Sequence, residues 1–171
     1  MVNPIAALLI EHKAIQIGDF TLASGAKSTY YIDVKTAFTH PHLLTIIAKH
    51  VAHLYEFDIV AGVAVGGIPL AVATALAAKK SYAIVRAAEK SHGKKEMIIG
   101  NVWNKRVLLI EDVTTSGGSA LYGIETLRTA VALADRVVTV VDREQGAEAM
   151  LSKHGIEFLS LVRVSELLKG K

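Results

Sequence analysis

Apolar residues fall into two kinds of run along this chain. Uninterrupted runs of strand length, rich in β-branched residues, occupy 59–63 (IVAGV), 82–85 (YAIV), 107–110 (VLLI), 137–141 (VVTVV) and 158–162 (FLSLV). Such runs predict strands of a parallel sheet covered on both faces, with 158–162 at an edge. Apolar positions three and four apart predict helices over 4–17, 41 to about 55, 70–78, 119–133, 145–154 and 164–168. Asn3 and Pro4 supply a cap and a first helical residue for the first of these, and Gly18 ends it. Next, 20–22 and 29–34 predict two short strands joined by a Ser24-Gly25 turn. Strands alternating with helices predict an open, mostly parallel α/β sheet whose loops at the strand carboxyl ends gather a ligand. No linker, repeat or low-complexity segment interrupts the 171 residues, so one domain spanning 1–171 is expected.

Composition narrows the function classes. The chain is 51% hydrophobic, as expected of a compact soluble fold, and its lack of cysteine excludes disulfides, thiolate metal sites and a cysteine nucleophile. Its net charge of +3, from 19 basic and 16 acidic residues, is too slight to imply nucleic acid as a partner unless the basic residues cluster. No apolar stretch approaches the roughly 18 residues of a membrane span, and the N-terminus has no signal-peptide pattern. A cytoplasmic protein is expected.

The chemistry concentrates after Ile110. The apolar run ends in Glu111 and Asp112, and burying two acids is costly unless something polar waits at the strand's carboxyl end. Val113, Thr114, Thr115, Ser116, Gly117, Gly118 and Ser119 follow, a turn with hydroxyls, glycines and free backbone N–H groups that opens a helix and so favours a phosphate. Carboxylates repel phosphate but accept hydrogen bonds from sugar hydroxyls, so the pair points to a sugar phosphate. Val65-Gly66-Gly67 forms a second glycine-rich turn, which matches neither a Walker A loop nor G-x-G-x-x-G. Residues 86–95 gather Arg86, Lys90, His92, Lys94 and Lys95 in a polar connection that is either a solvated hairpin or a lid over an anion. Arg143, at the end of the 137–141 run, either pairs with Glu144 or Glu148 or reads a ligand. His50 and His53 lack the further ligands of a metal site and read as solvated helix residues.

E-D-V-T-T-S-G-G closely resembles the phosphoribosyl diphosphate signature of type I phosphoribosyltransferases. F-T-L-A-S-G-A-K-S-T-Y-Y-I-D is similar to the hood of the orotate branch, A-G-V-A-V-G-G-I-P-L-A to its diphosphate loop, R-A-A-E-K-S-H-G to its catalytic flap and V-D-R-E-Q-G-A to its base-binding segment. The order along the chain is also the family's. The chain departs in carrying Ala23, Gly66, Ala87 and Ala88 where lysines or a glutamate occur in family members.

The resemblance implies an α/β type I phosphoribosyltransferase fold, a mostly parallel sheet flanked by helices with a small N-terminal hood formed mainly by 18–36. It implies transfer of ribose 5-phosphate from phosphoribosyl diphosphate to N1 of orotate, in pyrimidine biosynthesis. Lys90, His92 and Asp112 would be catalytic. Phosphoribosyl diphosphate would lie against Arg86, Lys90, His92 and the stretch from Glu111 through Ser119, and orotate against Thr115, Arg143, Ser24 and Tyr31. Mg²⁺ carried on the substrate is implied as cofactor, with no dedicated protein cage. A homodimer is implied too, its 86–96 loop reaching the neighbouring subunit, with no nucleic-acid or membrane partner. Two alternatives are a type I transferase for another base and a regulator that senses phosphoribosyl diphosphate.

Overall fold

The computed structural model describes residues 3–21, 25, 27–87 and 96–169. Helix α1 (Pro4–Glu11) starts as its sequence predicts, with the Asn3 side chain accepting from the N–H groups of Ile5 and Ala6 at 3.0 and 3.4 Å. It stops at Glu11, short of Ile17. Lys13 takes a φ of +55° and the Ala14 N–H returns to Leu9 O at 2.8 Å, which turns the chain into β1 (Ile15–Thr21). Ile15 and Ile17 therefore belong to a strand rather than to the end of α1, pairing with Ile32 and Tyr30 of β2 (Lys27–Ile32). These antiparallel strands form the expected hood, which begins at Ile15 rather than 18. Val34, expected to close the second strand, instead opens α2 (Val34–Ala37), because Asp33 caps it by accepting from the Thr36 N–H and hydroxyl at 3.1 and 2.7 Å.

Behind the hood lies a six-stranded sheet in the order β5-β4-β3-β6-β7-β8. Its strands are β3 (Ile59–Val63), β4 (Ser81–Val85), β5 (Ile98–Ile99), β6 (Arg106–Thr114), β7 (Leu133–Asp142) and β8 (Glu157–Arg163). All pairings are parallel except that of β5 with β4. The helices are α3 (Pro41–Val51), α4 (Gly67–Ala78), α5 (Gly118–Thr129), α6 (Ala147–Lys153) and α7 (Val164–Leu168). Among the described residues no helix is long and apolar enough to cross a membrane.

Strand β6 separates two apolar clusters. Leu108 and Ile110 pack with Leu9, Leu43, Ile47 and Leu70, whereas Val107 and Leu109 pack with Ile124, Leu127 and Leu151. Side chains alternate faces along a strand, so the next two residues must part as well. Glu111 goes to the α5 side and Asp112 to the side of α2 and α4. The predicted 119–133 helix is corrected at its end: α5 stops at Thr129, Val131 takes a φ of +62°, and Leu133 opens β7. The helix expected to run to about Tyr55 ends at Val51, and that expected over 145–154 is α6, which starts at Ala147 after Gly146 at φ +94°.

Candidate active site

The two acids at the end of β6 are held differently. Glu111 is 4% exposed and accepts a hydrogen bond from the Ser119 hydroxyl at 2.7 Å. Burial pushes its carboxyl up to about 7, with the Asp112 charge adding to the rise and the Ser119 bond and Lys35 charge opposing it. Asp112 is 7% exposed and lies 3.0 Å, through Oδ2, from the Lys35 ammonium of α2. For Lys35, burial lowers the pKa, but the hydrogen bond to Asp112 and the charges of Asp112, Tyr31 and Asp33 more than offset this and raise it.

Lys35 carried no sequence signal. It sits at a helix start and meets an acid far along the chain, a contact that neither periodicity nor a motif encodes.

After Thr114 the chain turns into α5 through Gly117 at φ +89°, and no side chain caps the helix's first N–H groups. A twelve-residue helix with an uncapped N-terminus beside hydroxyls can receive an anion. Thr115, Ser116, Gly118 and Ser119 are exposed around it and Val113 is half-buried. The buried Thr114 hydroxyl has no hydrogen-bond partner. The Ser119 hydroxyl is committed to Glu111, so its backbone N–H is the donor it leaves open.

The loop between β3 and α4 closes on the same place. The peptide bond between Ala64 and Val65 is cis, and Val65 is exposed. A Cβ at Gly66 would lie 2.0 Å from Asp112 Oδ2, at Gly62 2.2 Å from Gly67 O, and at Gly67 2.8 Å from Ile110 O. These glycines let the loop backbone seat directly against the Asp112 carboxylate and the end of β6.

At the end of β7, the Arg143 N–H bonds to Thr114 O at 2.9 Å, so Arg143 is tied by backbone to the turn between β6 and α5. Its guanidinium lies 5.5 Å over the Tyr30 ring, and its buried Nε has no hydrogen-bond partner. Among the described residues Arg143 pairs with neither Glu144 nor Glu148; Glu144 instead accepts from the Ser165 N–H at 2.9 Å. The hood residue under Arg143 is thus Tyr30. Tyr31 is exposed, with its ring 5.6 Å from that of Phe20.

Arg86 stands at the end of β4, its N–H bonded to Met97 O and its carbonyl to the Tyr122 hydroxyl, both at 2.9 Å, and its buried Nε has no partner. Ser24, Lys90 and His92 lie outside the described residues. His50 and His53 are exposed, and among the described residues no three His, Asp or Glu gather as a metal site.

The arrangement brings together two buried carboxylates that can accept from hydroxyls, a helix N-terminus that can receive an anion and a guanidinium that forms no ion pair among the described residues. Comparison with known proteins points the same way. Residues 34–158 match the phosphoribosyl transferase domain family. The orotate phosphoribosyltransferase of Methanocorpusculum labreanum is 65% identical over 98% of this chain and 99% of its own length. That of Methanoculleus marisnigri is 61% identical over 99% of this chain and 100% of its own length. The crystal structure of orotate phosphoribosyltransferase from Aeropyrum pernix superposes with a TM-score of 0.87 at 30% identity, covering 96% of each chain.

Proposed function

This chain belongs to the orotate phosphoribosyltransferases within the phosphoribosyl transferase domain family, and on that premise we propose how its residues divide the reaction. It transfers ribose 5-phosphate from phosphoribosyl diphosphate to N1 of orotate, giving orotidine 5′-phosphate and diphosphate. The observation that carries the division is the parting of Glu111 and Asp112 to opposite faces of β6, beside the open N-terminus of α5.

Loss of diphosphate leaves positive charge on the ribose ring. Glu111 and Asp112 accept from the ribose hydroxyls and set negative charge near that developing cation. The N–H groups of 114–119 and the hydroxyls of Thr114, Thr115 and Ser116 fix the 5′-phosphate, which holds the ring in place for attack. Arg86, Lys90 and His92 neutralise the departing diphosphate, with His92 or Lys90 as its proton donor. Arg143, stacked on Tyr30, reads the carboxylate and carbonyl oxygens of orotate beside Thr115. Mg²⁺ carried on the oxygens of the substrate diphosphate would supply further charge neutralisation for the leaving group.

Arg143→Ala tests the base assignment. Its expected result is a rise in KM for orotate by roughly 100-fold, since a charge-assisted bidentate contact is lost, with KM for phosphoribosyl diphosphate nearly unchanged. An equal rise in both constants contradicts the division.

The working form we propose is a cytoplasmic homodimer in which the 86–96 loop serves the neighbouring subunit. Mixing an Arg86→Ala chain with an Asp112→Ala chain then restores activity, because one site of each mixed dimer is intact. Two inactive chains that stay inactive when mixed contradict it.

A further inference from the structure

We propose that Lys35 is a positioning residue for phosphoribosyl diphosphate, holding Asp112 in the placement from which it accepts a ribose hydroxyl; this rests on the reading of the site given above. The Asp112 carboxylate is confined from two directions. The Gly66 backbone presses on one, so closely that a Cβ there would reach 2.0 Å from Oδ2. The Lys35 ammonium holds the same oxygen at 3.0 Å from the other. Oδ1 is thereby left as the acceptor for a hydroxyl, and the carboxylate cannot turn away without breaking its ion pair with Lys35.

Lys35 is itself aimed. It lies between Val34 and Ala37, both fully buried, on a helix whose turn is fixed by the two bonds from Thr36 to Asp33. Its side chain remains 63% exposed, so it reaches Asp112 from the solvent side and not from the core. Lys27, the described lysine of the hood strands, donates instead to the Thr21 hydroxyl at 2.8 Å, away from the carboxylates. An ammonium beside the ribose acceptors also offsets repulsion between Asp112 and the incoming polyanion. The pairing makes the hood's foot part of the ribose site, which no motif reading includes.

Titration calorimetry with phosphoribosyl diphosphate and Mg²⁺ tests this on the full chain and on Lys35→Gln, Lys35→Arg, Asp112→Asn and Lys35→Gln/Asp112→Asn. Lys35→Gln is expected to weaken binding about tenfold, and Lys35→Arg, which keeps the charge, only about threefold or less. In the Asp112→Asn background Lys35→Gln should change affinity by no more than about twofold, because the group it positions is gone. Steady-state kinetics should show KM for phosphoribosyl diphosphate rising in Lys35→Gln while KM for orotate stays put. Exposure of the side chain predicts an unchanged melting temperature, so a folding defect is recognisable. The proposal is overturned by unaltered binding in Lys35→Gln, by an equal loss in both backgrounds, or by Lys35→Arg behaving like Lys35→Gln. If the unsubstituted chain fails to bind phosphoribosyl diphosphate, the site reading falls with it; if it binds and Lys35→Gln binds equally, only the role of Lys35 falls.

Discussion

Asp112→Asn lowers kcat/KM for phosphoribosyl diphosphate by about 10²–10³, the usual cost of removing one preorganised electrostatic group from a transition state. Asparagine keeps the size of the side chain and can still accept from a ribose hydroxyl, so substrate seating survives in part. What it lacks is the negative charge, and that charge matters most when the ring becomes cationic. The loss therefore falls more heavily on kcat than on KM. Little stability should go with it. The ion pair to Lys35 has one largely exposed partner, and such pairs are worth on the order of 1 kcal/mol or less. Kinetics within threefold of the parent chain would remove Asp112 from the mechanism, and a collapsed melting temperature would assign it to the scaffold.

Glu111→Gln moves stability and activity in opposite directions. The Glu111 carboxyl is raised by burial from 4.5 to about 7 in the folded chain. Between those values the folded state keeps a proton that the unfolded state has released. Its contribution to stability is thus fully present below 4.5 and is lost as pH rises through 7. Above that pH the buried carboxylate costs on the order of 3 kcal/mol, from 1.36 kcal/mol per pH unit. Glutamine carries no charge to bury and still accepts from the Ser119 hydroxyl. At pH 8 the variant should melt higher than the parent by about 5 °C or more, and the gap should shrink toward pH 5. Turnover should fall at the same time, since the acceptor loses its charge. A group kept at a cost to stability is one retained for chemistry. Thermal melts at the two pH values decide it, and a variant that melts lower at pH 8 sinks this account of Glu111.

Much of the sheet was readable because its strands are apolar on both faces. The runs at 59–63 and 107–110 fall within β3 and β6, and the 164–168 helix within α7, because β-branched runs and a short amphipathic turn leave few alternatives. The same alternation implies that adjacent acids part to opposite faces of β6, as Glu111 and Asp112 do.

Local pattern failed where a tertiary contact chose between periods. Ile15 continues the helical spacing of Ile5, Leu8 and Leu9 as well as it fits a strand, and only pairing with β2 selects the strand. Leu133 continues the spacing of α5, yet β7 claims it after Val131 turns the chain with a positive φ that a β-branched residue rarely takes. The site divides in the same way. The β6–α5 turn is contiguous, so its placement between a buried strand and a helix start was legible. Lys35 and Tyr30 were not, because each matters only through a residue distant in sequence, Asp112 for one and Arg143 for the other. That Tyr30 and not Tyr31 lies under Arg143 depends on which face of β2 turns inward, and the pairing register with β1 sets that.

The most direct test of the account is acceptor selectivity. Orotate consumption is followed by ultraviolet absorbance with phosphoribosyl diphosphate and Mg²⁺ present, and uracil, hypoxanthine and adenine are run in parallel. Turnover with orotate alone, forming orotidine 5′-phosphate and diphosphate, is the predicted result. Phosphoribosyl diphosphate that binds while no base reacts, or equal turnover with a purine, would contradict it.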